Sequence, residues 1–260
     1  VPQDAREDCW ERFAALASSD TVEFAVSDPF LQMQYQYQIG SPTLPSIRTH
    51  GLYTGATHYP ERSSEILVTE RPHESVLLCA IQHLLGPQPE SDKDGWSMIE
   101  GRLRRAASAS YPFTFTTRSL TDKKYSSFAK FRAAVLWAYD MDLITFYEFY
   151  SMNMPIFMPA HISKYVFEQD HTSYEGQWMG RKIHPEESEL WPPDARSSPF
   201  NETSLDSVAL VLRFTDYFRL PAVMHFASLP ELLEKLLQAD FSEIVQEMAR
   251  FNKDALIDTQ

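Results

Sequence analysis

The chain is poor in glycine, in cysteine and in positive charge. Its 260 residues include 8 glycines and 2 cysteines, and 23 Lys and Arg stand against 36 Asp and Glu, a formal net charge of −13. An acidic surface repels nucleic-acid backbones and anionic membranes, so neither is expected as the main partner. Two cysteines do not define a disulfide framework, and we expect Cys9 and Cys79 to be ordinary buried thiols.

Long apolar runs are also missing. The longest, such as residues 133–138 and 208–212, are far shorter than the roughly 18–20 residues that a membrane helix needs. We therefore expect a soluble chain without a membrane span, and its 43% hydrophobic content is enough for a full core. The compartment stays open between the secretory pathway, including the Golgi lumen, and the cytoplasm. Because the chain begins with Val1, it is expected to be a processed chain or part of a longer one.

What the sequence does contain is an alternation of apolar strands and helices. Strands are predicted at 65–69, 113–117, 133–139, 154–159, 208–214 and 222–226. Helices are predicted at 73–85, 97–109, 125–132 and about 144–153, and from about 230 and 241 onward. This alternation is typical of a parallel sheet with helices on both faces, so the predicted fold class is α/β and Rossmann-like.

The predicted order begins only after residue 60. Before it lie a helical start, a predicted strand at 21–27 and an irregular stretch with Pro and Gly. We therefore predict a Rossmann-like domain at 61–260, preceded by a short N-terminal extension, 1–60, from a partial second domain on the acceptor side. Residues 168–206 are polar, proline-rich and without periodicity, which indicates a long loop insertion that serves as a lid or as an interface with a protein partner.

Acidic residues mark one βαβ unit, residues 133–159, as the predicted site. Asp140 and Asp142 follow its first strand, and Glu148 lies on the short helix. Open parallel sheets bind ligands at the carboxyl ends of their strands. A carboxylate on this helix can accept both hydroxyls of a ribose, because a charged acceptor makes strong hydrogen bonds. The simpler interpretation also stays open: Glu148 faces solvent or satisfies a buried neighbour.

The order of these elements resembles the C-terminal nucleotide-sugar-binding domain of glycosyltransferases with the GT-B fold. The resemblance covers residues 61–260. It rests on a strand followed by Arg71, on Asp140 and Glu148 with seven residues between them, and on the Asn-Met-Pro sequence at 153–155 that enters the next strand.

The resemblance implies a transfer of sugar from a nucleotide diphosphate sugar to a hydroxyl on a glycan, protein or lipid. In that family the residue at Arg71 binds the donor diphosphate, and the residue at Glu148 holds the donor ribose. Asp140 would hold or orient the sugar. Lys123 and Lys124, after the strand at 113–117, would add positive charge for the diphosphate.

A general base is predicted at His50, in the sequence His-Gly-Leu-Tyr. The residue precedes the predicted donor domain, where the cleft between two domains would lie, and an imidazole there can take the proton of an acceptor hydroxyl. A structural or surface histidine is the open alternative.

A metal-dependent interpretation uses Asp140 and Asp142. An Asp-x-Asp sequence after a strand is how another glycosyltransferase class, GT-A, holds a divalent ion, and carboxylates suit Mg²⁺ or Mn²⁺. N-capping of the following helix by Asp142 explains the motif equally well. No other metal site and no cofactor are predicted.

A non-catalytic interpretation also stays open, in which the chain is a glycosyltransferase-like scaffold or a subunit of a larger assembly. Val76 stands where those enzymes usually have Lys, five residues after Arg71. Scarce glycine leaves few turns that let backbone N–H groups approach phosphate closely. Residues 1–60 are too short for a whole acceptor domain.

Overall fold

The fold comes from a computed structural model, which describes thirteen ranges of the chain. They are residues 11–19, 21–27, 29, 31–32, 45–48, 50–59, 63–69, 80–81, 84, 111–117, 122–138, 140–168 and 205–258. Several predicted features lie outside the described residues. They are Arg71, Val76, most of the predicted insertion, most of the predicted helix at 73–85 and all of the predicted helix at 97–109.

A five-stranded parallel sheet forms the centre of the described part. Its strands are β1 (Glu65–Thr69), β2 (Thr114–Thr117), β3 (Ala133–Leu136), β4 (Ile156–Pro159) and β5 (Val223–Phe226). They lie in the order β2-β1-β3-β4-β5, and every neighbouring pair is parallel. The predicted α/β, Rossmann-like class is confirmed. The winding direction of the sheet changes between β1 and β3, the position where sheets of this order bind ligands.

Short helices connect and cover the strands. They are α1 (Tyr125–Phe128), α2 (Ile144–Ser151), α3 (Ile162–Glu168), α4 (Leu205–Leu212), α5 (Asp216–Arg219), α6 (Leu229–Gln238) and α7 (Phe241–Asp258). A 3-10 helix, Leu52–Thr54, precedes β1, and residues 11–17 are helical. Within the described ranges, no helix combines the length and apolarity that crossing a membrane requires.

The core covers both faces of the sheet, and every residue of β3 is therefore buried. Ala134 and Leu136 contact the cluster formed with α2, α3, α4 and α7. Ala133 and Val135 belong to the opposite cluster, which includes Leu232 on α6. Burial of both faces explains why the strands are continuous apolar runs, as in other parallel sheets.

The predicted strand at 208–214 is wrong, because residues 208–212 belong to helix α4 and residues 213–214 form the turn after it. Val208, Val211 and Leu212 are buried, and their spacing of three and four residues places them on one helical face. The β-branched residues suggested a strand, but packing of this face against the core determines the helix. Apolar spacing, rather than residue type, was the informative signal.

The predicted strand at 21–27 is also wrong. Across these described residues the backbone forms a single parallel bridge, between Val26 and Ser46, rather than a strand of the sheet. Val26 donates to the carbonyl of Pro45, and Ile47 donates back to Val26. The segment is thus paired with the irregular stretch that follows it in sequence.

Helix α2 ends two residues earlier than predicted, at Ser151. Asn153 has a φ of 61°, and the N–H of Met154 donates to the carbonyl of Phe149 over 3.0 Å. A left-handed residue with this backward bond is a common helix stop, and asparagine tolerates it better than most residues. Pro155 then leads into β4.

His58 connects the N-terminal segment to the core. Its side chain is 2% exposed, and Nε2 donates to the carbonyl oxygen of Phe131 over 2.7 Å. Burial lowers the pKa of His58 below its ordinary 6.5, because a charged imidazolium is poorly solvated there. The unfolded chain therefore binds more protons than the folded chain below about pH 6.5. The free energy of unfolding is thus expected to fall as the pH falls from 6.5 toward the lowered folded pKa.

We expect His58→Gln, whose amide can still donate to Phe131, to reduce this loss of stability between pH 7 and pH 5. Burial also lowers the pKa values of His50 and His225. The substitution should therefore reduce the pH dependence of the free energy of unfolding without removing it. Urea unfolding at each pH measures it, with the exposed His161→Gln as the control. Parallel pH profiles for wild type and His58→Gln would contradict this role.

Candidate functional site

Helix α2 carries the predicted site and is covered by residues 50–58. The N–H of Gly51 donates to Ser151 Oγ over 2.8 Å, and the N–H of His58 donates to the carbonyl of Met152 over 2.9 Å. A Cβ on Gly51 would lie 2.8 Å from the Cα of Glu148. The N-terminal segment and the site helix are therefore in direct backbone contact.

Glu148 is the buried centre of this contact, with 7% of its surface exposed. Its Oε1 accepts from the hydroxyl of Tyr53 over 2.7 Å and from that of Tyr125 over 2.5 Å. The expectation that Glu148 faces solvent is wrong. It accepts from two tyrosine hydroxyls that are themselves exposed or half-buried. These tyrosines come from the 3-10 helix and from α1 rather than from α2.

The two tyrosines differ in how firmly they are held. Tyr125 packs edge-on against Phe128, while the side chain of Tyr53 is 64% exposed. Desolvation of the hydroxyl, followed by the hydrogen bond and charge of Glu148, raises the pKa of Tyr53 well above its usual range. Tyr53 is therefore a neutral donor at pH 7. It is also the more exposed of the two, and leaving would cost it only the edge-on contact with the ring of Tyr125 and this hydrogen bond.

The two predicted lysines lie at the start of α1. Lys124 is the N-cap residue of this helix, directly before Tyr125, and its side chain is exposed. Its Nζ is 3.7 Å from Asp122 Oδ2. Lys123 has a φ of 59°, so the chain turns sharply here. The hydrogen bond from Tyr125 to Glu148 thus connects the lysine-bearing turn with the site helix.

His50 directly precedes Gly51 and is thereby held beside the backbone of α2. Burial, and then the charge of Arg48, lower the pKa of His50. Its imidazole is therefore neutral at pH 7, the form that can accept a proton. The structure thus brings His50, Lys123 and Lys124 to segments that contact Glu148 or its tyrosine partners.

Asp140 is held in a different set of contacts. Its Oδ1 accepts from the N–H of Met141 over 2.7 Å. Tyr217 on α5 donates to the carbonyl of Asp140 over 3.0 Å and accepts from the N–H of Leu143 over 2.8 Å. In the described part of the chain, Asp140 and Glu148 share no hydrogen-bond partner, so no hydrogen-bond network joins the two acids.

The structure places the N-cap of α2 at Leu143 rather than at Asp142, and the Leu143 side chain makes no capping hydrogen bond. Tyr217 takes the N–H of Leu143 instead. Among the described residues, no three His, Cys, Asp or Glu side chains are grouped closely enough to hold a metal ion. Mg²⁺ or Mn²⁺ at Asp140 and Asp142 stays a prediction.

No family model, curated protein or solved structure matches this chain. Function is therefore inferred from the side chains around α2.

Sequence reasoning missed three residues of this site. Tyr53 and Tyr125 were not predicted, because they lie 95 and 23 residues from Glu148 in sequence. Tyr217, which holds the acidic loop, was also missed. Gly51 was a usable signal, since a glycine in a glycine-poor chain often marks a close approach of two backbones.

Proposed function

We propose that this chain is a glycosyltransferase, or its donor-binding half, that binds a nucleotide diphosphate sugar and transfers the sugar to a hydroxyl on a glycan, protein or lipid. The observation that carries the proposal is Glu148 Oε1, which accepts two hydroxyls at once. Two vicinal ribose hydroxyls present the same chemistry. The parallel sheet and the lysines at α1 support the same assignment.

In the proposed complex, a ribose hydroxyl replaces the hydroxyl of Tyr53 on Glu148. Lys123 and Lys124 neutralise the donor diphosphate from the turn before α1, because cations stabilise the charge of a leaving phosphate. Arg71, outside the described residues, is proposed to assist them. Asp140 orients the sugar.

His50 is proposed to take the proton of the acceptor hydroxyl. The acceptor oxygen then forms a bond to the anomeric carbon of the sugar, and the bond from that carbon to the diphosphate oxygen breaks. The diphosphate leaves with the electron pair of that bond. The lowered pKa of His50 supports the role, since a base must be unprotonated at the working pH.

Tyr53→Phe is expected to raise nucleotide affinity about tenfold. The change removes the hydroxyl that competes with ribose for Glu148 Oε1, and a hydrogen bond to a charged group contributes about 1.5–3 kcal/mol. The same variant should be less stable without nucleotide by about 1.5 kcal/mol, since the same hydrogen bond is lost. Titration calorimetry with UDP and GDP measures the affinity, and urea unfolding measures the stability.

Tyr59→Phe is the matched control, because Tyr59 lies on the same segment and is 67% exposed. Tyr59→Phe should change neither the nucleotide affinity nor the stability of the chain. Weaker nucleotide binding by Tyr53→Phe would contradict the displacement and would instead make Tyr53 part of the binding surface.

A second candidate function, a non-catalytic scaffold or assembly subunit, is favoured by one observation. Glu148 is almost fully buried by side chains of its own chain, which is how a former ligand site is filled. Thermal-shift screening with UDP, GDP and their sugars, with and without Mn²⁺, separates the two candidates. A nucleotide-specific rise in Tm supports the transferase, and its Mn²⁺ dependence tests Asp140 and Asp142. No rise with any nucleotide supports the scaffold.

A further inference from the structure

Arg48 is held in a frame built by α2 and α7. Its guanidinium carbon lies 4.8 Å from the ring centre of Tyr150 and 4.7 Å from that of Phe251. Nη1 donates to Asn252 Oδ1 over 3.0 Å. The two rings and the amide restrict the guanidinium to one orientation, since an aromatic face attracts the cation and the hydrogen bond fixes its rotation.

The frame itself is fixed by further hydrogen bonds. Asn252 Nδ2 donates to the carbonyl of Tyr150 over 2.9 Å and to Asn153 Oδ1 over 2.6 Å. Asn252 is 8% exposed. Its amide therefore cannot turn without breaking the contact between α7 and the end of α2, and Nη1 of Arg48 stays occupied.

The other edge of the guanidinium has no hydrogen-bond partner among the described residues. Nε and Nη2 lie on the same side of the group, and both are buried without a hydrogen bond to that part of the chain. Within the described part of the chain, Asp216 acts on Arg48 by its charge without forming an ion pair. Buried N–H groups of a cation that stay unpaired cost free energy, so this arrangement favours a bound acceptor.

The chemistry of this edge selects its acceptor. Nε–H and Nη2–H form a planar fork, and the fork matches the two oxygens of a carboxylate or of a phosphate. A water molecule can accept from one of these N–H groups at a time, but it carries no negative charge to balance the guanidinium. His50, two residues along the chain, also has a buried nitrogen, Nε2, that makes no hydrogen bond to the described residues.

We propose that the Nε–Nη2 edge of Arg48 is a binding site for a small oxyanion, a carboxylate or a phosphate, at the junction of residues 45–48 with α2 and α7. The site uses neither Glu148 nor the lysines of α1, and His50 is the only residue near it that the proposed sugar transfer also uses. The test below uses no nucleotide, so its failure is distinguishable from failure of the proposed transfer.

Thermal unfolding in the presence of anions tests the site. Sodium phosphate and sodium acetate are each titrated into the wild-type chain at constant ionic strength, with sodium chloride replacing them. We expect a saturable rise in Tm with at least one of the two. A saturable rise in Tm with phosphate alone identifies a phosphate site, and a rise with acetate alone identifies a carboxylate site. No saturable rise above chloride with either anion would overturn the proposal.

Two variants assign the effect to the fork. Arg48→Lys keeps the positive charge between the rings but has no fork, so the anion concentration at half-saturation should rise at least tenfold. Arg48→Gln should show no saturable rise. Arg250→Lys and Arg250→Gln, at an exposed arginine of α7, should behave as wild type. If Arg48→Lys reached half-saturation at the same anion concentration as wild type, the proposal would also be overturned. Because Arg48→Lys keeps the charge, it gives a result even if Arg48→Gln does not fold.

Discussion

Gly51→Ala is expected to destabilise the chain by about 3 kcal/mol and to release residues 50–55 from α2. The added Cβ would lie 2.8 Å from the Cα of Glu148 and 3.1 Å from the carbonyl oxygen of Tyr147. Both atoms are backbone, so no flexible side chain can move aside. The segment must shift, and the bonds from Gly51 to Ser151 and from Tyr53 to Glu148 are then lost. Urea unfolding measures the effect.

Gly55→Ala is the matched control on the same turn. Gly55 has a φ of 57°, and a Cβ there would meet nothing within 4 Å. Its replacement should cost only the left-handed strain of about 1–2 kcal/mol. Gly51 has a φ of −81°, which any residue adopts, so its requirement is the space against α2. An equal or smaller loss for Gly51→Ala would contradict the close approach.

Glu148→Ala is expected to destabilise the chain by about 2–3 kcal/mol, because a part-buried hydroxyl of Tyr125 loses its acceptor. An exposed site residue would give little loss of stability, and burial of Glu148 makes the expected loss larger. A double-mutant cycle with Tyr125→Phe isolates the contact. We expect a coupling of about 1 kcal/mol or more.

The cycle has a matched comparison in Glu234→Ala, an exposed acid on α6. Its combination with Tyr125→Phe should be additive, since the residues share no contact. Additivity for Glu148→Ala and Tyr125→Phe would show that the hydrogen bond adds nothing to stability, and it would remove the reason to regard Glu148 as the centre of the site.

The sheet was predictable because each of its strands is indicated by the residues of its own short segment. Residues 65–69 and 133–136 are short apolar runs that pack on both faces, and such runs are visible without knowing their neighbours. The 208–212 run was equally apolar but folds as a helix. Composition could not separate the two, because the choice depends on which side chains the rest of the core covers.

The site was predictable only in part. The position of Glu148 on a helix after a buried strand followed from local pattern. Its hydroxyl partners did not, since Tyr53 lies 95 residues away and is brought in by the Gly51 contact. Arg48 gave no sequence signal either, because its importance lies in two buried N–H groups that only the packed structure shows.

Nucleotide titration of wild type and Glu148→Gln tests the central claim most directly. The glutamine keeps an acceptor oxygen for the tyrosines, so the fold is retained while the negative charge that strengthens the hydrogen bond from the ribose hydroxyl is lost. By calorimetry, wild type and Glu234→Gln should bind UDP or GDP with equal affinity, and Glu148→Gln at least tenfold more weakly. Equal binding by wild type and Glu148→Gln, or no nucleotide binding by wild type, would contradict a donor site at Glu148.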